Sequence, residues 1–219
     1  MRTVAILPIK SFDQAKQRLR FELPEHDRRA LAESMFSDTL VALGRVPALE
    51  WVVVVSGDRA AQRIAGGYGA RVIEDDERGH NTAAARGIAA LIEDGIERAL
   101  LVPGDCPLLA PADIDALLTH EVPEQSALIV PDRHGTGTNA LLLTPPDVLA
   151  PSFGPDSCQR HMADAQTQGI TAETIELDSL ALDIDTPDDL EALQRKLAVT
   201  HGGAAHTRGM LNQLMRARA

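Results

Sequence analysis

Residues 101–109 read LVPGDCPLL: an apolar run stops at Gly104-Asp105, is turned by Pro107 and becomes apolar again. A carboxylate at the end of a buried strand is either a turn former or a group held out for a ligand, and the rest of the chain decides between them. Short β-rich runs at 3–8, 51–56, 71–73, 99–103, 127–131 and 139–144 alternate with longer stretches of helical spacing. That alternation predicts βαβ units, an α/β fold and a mostly parallel sheet covered on both faces. Val52-Val53-Val54-Val55 shows no alternation, as a strand buried on both faces should. Leu31, Met35, Phe36, Leu40 and Leu43 recur at helical spacing, as do Ala84, Ile88, Leu91 and Ile92, and later Leu190, Leu193 and Leu197. In open sheets of this kind ligands bind beyond the carboxyl ends of the strands, which is where Asp105 falls.

Composition narrows the chemistry. The chain has 219 residues, 44% of them hydrophobic, enough for one compact domain. Its 32 acidic residues outweigh 21 basic ones for a net charge of -11. That charge repels a polyphosphate backbone and argues against nucleic acid as a partner. Two cysteines, Cys106 and Cys158, make neither a disulfide framework nor a zinc site and suit reduced thiols in a cytosol. No apolar stretch is long enough for a signal-peptide core or a membrane span. The expectation is a soluble cytoplasmic protein without a membrane partner. A domain over 1–199 is followed by residues 200–219, which contain Gly202-Gly203 and scattered arginines. They read as a loosely held tail with at most a weak helix over 207–217.

A second acidic cluster, LDIDTPDDL at 182–190, divides into two halves. Thr186 is a good N-cap, Pro187 suits the first helical position, and Asp188 and Asp189 complement the positive helix end. Asp183 and Asp185 need another explanation. Two apart on an extended segment, they point to the same side, and like charges held together repel unless a cation or proton lies between them. With Asp105 they form a hard oxygen set of the kind that holds Mg²⁺ through carboxylates and substrate phosphates.

Neither a P-loop nor a dinucleotide fingerprint is present. The first strand leads instead into PIKSFDQAKQRL at 8–19, where Lys10, Lys16 and Arg18 form a basic island in an acidic chain. A solvated helix face is the better account of such lysines in isolation, but this island follows the strand end where a triphosphate would lie. The loop GTGTN at 135–139 is a hairpin turn or a small anion cradle. FGPDSCQRH at 153–161 reads as a loop entering a helix, whose first amides favour an anion, with Arg160 and His161 adding charge.

Taken together, P-x-K-x5-K-x-R-L at 8–19, G-x-N-x-A at 79–83, G-D-x-P-x-L at 104–109, G-T-N-A-L at 137–141, F-G-P-x-S-x3-H at 153–161 and D-x-D-T-P-x-D-L at 183–190 resemble the CofC family. These are guanylyltransferases of coenzyme F-420 biosynthesis, acting on 2-phospho-L-lactate or a related phosphorylated three-carbon acid. The resemblance runs over about residues 3–198 in order. It implies a three-layer α/β/α nucleotidyltransferase fold, Rossmann-like, with a mixed, mostly parallel seven-stranded sheet. It departs from the wider superfamily in lacking a glycine-rich first loop, as the family itself does, and carries His80 where Leu is more usual in the family.

The resemblance also assigns roles. Mg²⁺ would sit on Asp105, Asp183 and Asp185, and Lys10, Lys16 and Arg18 would neutralise the triphosphate of GTP. Gly79 and Asn81 would face the guanosine. Thr138, Gly154 and Ser157 would hold the acceptor, 2-phospho-L-lactate, phosphoenolpyruvate or 3-phospho-D-glycerate, with Arg160 and His161 in weaker support. The product would pass to a downstream transferase, and a homodimer is common among small α/β enzymes. The alternatives are a molybdenum-cofactor guanylyltransferase-like enzyme, a type A glycosyltransferase, a haloacid-dehalogenase phosphatase, and a nucleotide-binding sensor without turnover. The phosphatase fits worst, because its D-x-D-x-T motif would follow the first strand and places the threonine one position later.

Overall fold

In a computed structural model that describes residues 1–76 and 78–218, seven strands form one sheet in the order β3-β2-β1-β4-β6-β5-β7. The strands are β1 (Thr3–Pro8), β2 (Leu49–Ser56), β3 (Arg71–Glu74), β4 (Arg98–Leu101), β5 (Ser126–Pro131), β6 (Thr138–Thr144) and β7 (Thr171–Thr174). The helices are α1 (Glu25–Leu43), α2 (Arg59–Gly67), α3 (His80–Glu93), α4 (Pro111–Thr119), α5 (Ser157–Gln168), α6 (Pro187–Val199) and α7 (Ala205–Arg218). β6 runs antiparallel to both β4 and β5, and the other pairings are parallel. The expected mixed, mostly parallel sheet of seven strands is therefore the fold observed.

The layering follows from the pleat. On β1, Ala5 and Leu7 face a core shared with Phe36 and Leu40 of α1, while Val4 and Ile6 face a second core with Ala84, Ile88 and Leu91 of α3. Val52 and Val54 divide from Val53 and Val55 in the same way, so the unbroken valine run feeds both faces at once. The strand order reverses between β1 and β4, and the carboxyl ends of these two strands open onto one crevice, the switch point of an open α/β sheet.

A third apolar cluster lies off the sheet and corrects one expectation. The expected loose tail over 200–219 is, in its described part, ordered: Ala205–Arg218 form α7, whose Leu211 and Leu214 are buried with Met35 of α1 and Leu193 of α6, and residue 219 lies outside the described residues. Asp38 on α1 accepts hydrogen bonds from the backbone N–H groups of His206 and Thr207, at 3.0 and 2.8 Å. These are orphan donors of the first turn, and a carboxylate there also suits the helix dipole. The same cluster buries Leu182 and Ile184, so α7 braces the segment that carries Asp183 and Asp185.

Candidate active site

Gly104 answers why the chain places a carboxylate after a buried strand. A Cβ at that position would run into Cδ1 at the tip of the Ile9 side chain and lie 3.2 Å from Phe36. A larger residue would have to push the Ile9 side chain aside, so glycine suits the point where the chain leaves β4, and the next residue, Asp105, lies at the mouth of a cleft of about 590 Å³. Across the cleft, Leu182 and Ile184 point into the third cluster, at 2% and 0% exposure, while the alternate residues Asp183 and Asp185 line the cleft. The two acids thus share one side of an extended segment, as their spacing requires.

The crowding of these acids is legible in their chemistry. Burial, followed by the charge of Asp105, pushes the Asp183 carboxyl up to about 6. Asn139, itself buried, donates to Asp183 Oδ1 at 3.2 Å and to the carbonyl of Leu180 at 2.7 Å, which fixes the direction of that carboxylate. One oxygen of Asp105, Oδ1, is buried without a hydrogen-bond partner. Lys16 supplies the opposing charge: its Nζ lies 2.5 Å from Asp105 Oδ2 and 3.1 Å from Asp185 Oδ1, with the side chain 6% exposed. Its backbone is left-handed, at φ 55° and ψ 38°, a conformation that costs a residue with a Cβ about 1–2 kcal/mol and is held here by the two ion pairs. The paired carboxylates more than offset burial and raise the Lys16 ammonium pKa well above its ordinary value. Among the described residues no three His, Cys, Asp or Glu side chains are gathered as a ready ligand set for a metal.

Lys10, exposed, and Arg18 also line the cleft. Lys10, Pro8 and His80 are shared with a smaller cavity of about 180 Å³, which Gly79 borders at the start of α3. The opposite wall carries Thr138, Gly154 and Ser157. Gly154 has φ +124°, which excludes ordinary side chains, and its carbonyl accepts from Ser157 N–H at 3.1 Å as the chain enters α5. A cation-lined floor, a carboxylate cluster and a wall of small donors thus surround one crevice.

Comparison with known proteins decides what kind of crevice it is. Residues 3–217 match the family model described as "Guanylyl transferase CofC like". The chain belongs to this family. A phosphoenolpyruvate guanylyltransferase of Conexibacter woesei is 52% identical over 218 residues, 99% of this chain and 98% of the relative. A 2-phospho-L-lactate guanylyltransferase of Methanothermobacter thermautotrophicus is 30% identical over 215 residues, 98% and 92% of the two chains. Among solved structures, a cytidylyltransferase from Leptospira borgpetersenii superposes with a TM-score of 0.62 at 15% identity, covering 100% of this chain and 96% of that one, a likeness of fold. The protein is a nucleotidyltransferase of the CofC guanylyltransferase family.

Within this CofC site, three residues expected at the ligands stand elsewhere. Asn81 does not border either cavity. Its amide accepts from Phe153 N–H at 2.8 Å and donates to the Phe153 carbonyl at 3.1 Å, clasping α3 to the loop before α5. Arg160 donates to the carbonyls of Ser152 and Pro155, at 2.7 Å each, so its guanidinium closes the loop on itself. His161 is wholly buried, and each ring nitrogen has a partner. Arg160 is claimed by the backbone of its own loop, Asn81 by the backbone of the loop that faces it, and His161 by the Ser152 backbone and the Thr138 hydroxyl.

Sequence reasoning also missed helpers. Asn139 was read as part of a turn or anion cradle and the start of a strand but not as the partner of Asp183, and the Arg133–Asp189 ion pair at 2.6 Å, which ties the β5–β6 connection to the acidic segment, was not foreseen. Thr186 is the N-cap as its sequence context suggested, and it forms a reciprocal capping box with Asp189. Phe153 lies between His80 and His161, with ring centroids 5.2 and 5.4 Å away, joining the two walls of the cleft. Both cysteine thiols have pKa values raised by burial, which keeps them protonated and unreactive. Among the described residues no helix is long and apolar enough to cross a membrane.

Proposed function

We propose that this protein joins GMP from GTP to the phosphate of a small phosphorylated three-carbon acid, releasing pyrophosphate, as a step in coenzyme F-420 biosynthesis in the cytoplasm. The observation that carries the reading is the pairing, in one crevice, of the carboxylate–lysine cluster with a facing wall of small hydroxyl and amide donors. Phosphoenolpyruvate is the first acceptor to test, given the name of the 52% identical relative. 2-Phospho-L-lactate and 3-phospho-D-glycerate, in the names of other relatives, are the next.

The residues fit Mg²⁺: the donors are hard oxygens, Asp105 Oδ1 is buried and unpartnered, and Asp183 is crowded by like charge. Held by Asp105, Asp183 and Asp185, the ion would supply Lewis acidity and a template for the phosphates. The chain's own groups supply the rest. A phosphomonoester has its second pKa near 6, so at neutral pH the acceptor is already an anionic nucleophile and needs no general base. An acceptor phosphate oxygen bonds to the α-phosphorus of GTP, the bond from that phosphorus to the bridging oxygen breaks, and pyrophosphate departs with the electron pair. The barrier is repulsion between polyanions. Lys10, Lys16 and Arg18 neutralise the triphosphate, and Thr138, Gly154 and Ser157 hold the acceptor in line, so catalysis is positioning and electrostatics. Gly79 and the start of α3 border the smaller cavity, where the base is seated.

Incubating the protein with GTP, Mg²⁺ and each acid in turn and measuring pyrophosphate tests the reading. Release that depends on one of the three acids, and on GTP in preference to the other nucleoside triphosphates, is expected. Free phosphate, nucleoside diphosphate or no product at all would point instead to a phosphatase, a sugar transferase or a sensor.

A further inference from the structure

We propose that His161 is a positioning residue that commits the Thr138 hydroxyl to donate its proton into the cleft, which makes that wall selective for an anion. The inference rests on Thr138 contacting the acceptor, as proposed above, and adds how the chain sets the direction of that contact. His161 is the fifth residue of α5, wholly buried, between β6 and the loop before the helix. Its Nε2 lies 2.9 Å from the backbone nitrogen of Ser152. A backbone N–H can only donate, so Nε2 carries the lone pair. The ring is neutral: burial, then the charge of Arg160, lowers its pKa to about 4. A neutral imidazole with an acceptor at Nε2 bears its one proton on Nδ1.

Nδ1 is 3.1 Å from Thr138 Oγ1. The Nδ1–H therefore donates to Thr138, and the threonine proton cannot be directed back at the ring. Thr138 is 8% exposed and lines the cleft with Ser157 and Gly154. A hydroxyl normally rotates between donor and acceptor roles. Here one lone pair is occupied by His161, and the proton is left for the ligand. The arrangement favours an acceptor such as a carboxylate or phosphate oxygen over a donor-only group such as an ammonium, which would leave the Thr138 proton unmatched.

Two isosteres separate this role from mere packing. In His161→Asn the side-chain amide nitrogen takes the place of Nδ1 and retains the donor to Thr138. In His161→Gln the amide oxygen takes the place of Nε2 and retains only the contact to Ser152. Expected for His161→Gln is a rise of roughly tenfold in KM for the acid with KM for GTP unchanged, and for His161→Asn a rise within roughly threefold. Thr138→Val should raise the acid KM at least as much, and adding His161→Gln to it should cost less than about another twofold, because the two act as one unit. Equal losses in the two His161 variants, or a parallel rise in KM for GTP, would overturn the proposal. An unchanged acid KM in Thr138→Val would instead overturn the acceptor assignment on which it rests. Nitrogen NMR of histidine-labelled, unmutated protein tests the tautomer directly, without depending on any variant folding. One histidine fixed as the Nδ1–H form from about pH 5 to 8 is expected, whereas only Nε2–H or charged rings would sink the idea.

Discussion

The acidic wall of the cleft and the loop that faces it are built on opposite principles. Asp105, Asp183 and Asp185 are delivered by a glycine departure and an extended segment, then left crowded, with one buried carboxylate oxygen unpartnered and a lysine between two of them. In the loop at 152–161, the groups that look ionic are already satisfied: Arg160 by the carbonyls of Ser152 and Pro155, His161 by Ser152 and Thr138. Frustrated polar groups mark where a ligand is needed, and satisfied ones mark where a shape is being held.

Breaking the first wall should have the largest effect. Asp105→Asn, Asp183→Asn and Asp185→Asn should each lower pyrophosphate release by about 10²-fold or more. In chelator, Asp183→Asn should melt no lower than the parent, because it relieves the like-charge crowding around that carboxyl. If all three retained near-normal rates, the contrast between the walls would fail. Lys16→Met should lower turnover roughly 10- to 100-fold through loss of a charge on the triphosphate. In calorimetry with chelator it should also melt below the parent, and added Mg²⁺ should restore part of the difference.

The facing wall should respond to pH rather than to metal. His161 has a pKa near 4 in the fold against about 6.5 when unfolded. Between those values the unfolded chain binds more protons, so its stabilising share is intact above pH 6.5 and is lost as pH falls towards 4, by at most about 1.4 kcal/mol per pH unit. Urea midpoints measured across that range should drop more steeply in the parent than in His161→Asn. Smallest of all, Arg160→Ala should change kcat/KM by less than about threefold, since its partners are carbonyls of an exposed loop. A hundredfold loss would instead place the guanidinium on the substrate and erase the distinction between the walls.

Most of the sheet could be read without a structure because its strands are apolar on both faces and sit at regular intervals. β7 escaped, since TAET at 171–174 is an edge strand with polar, mostly exposed residues and carries no hydrophobic run. The helix at 205–218 was underestimated because Gly209 and several polar residues dilute its pattern. Thr207, Leu211 and Leu214, at spacings of four and three, were the signal for its buried face. At the site, Asp183 and Asp185 were legible because period two in an extended segment fixes the side they share. Asn81 and His161 stand away from the cleft because their partners, Phe153 and Thr138, are set by tertiary proximity that no spacing encodes, while Arg160 turns back on the carbonyls of its own loop. Lys16 was legible as a cation but not as the occupant of the acidic cluster, which requires a left-handed backbone turn invisible in the letters.

That turn has a consequence for how the molecule comes into being. Because an ammonium group from the same chain already stands among the acids, the newly made polypeptide can close its most repulsive corner unaided. It need not wait for an inorganic ion before reaching its mature shape.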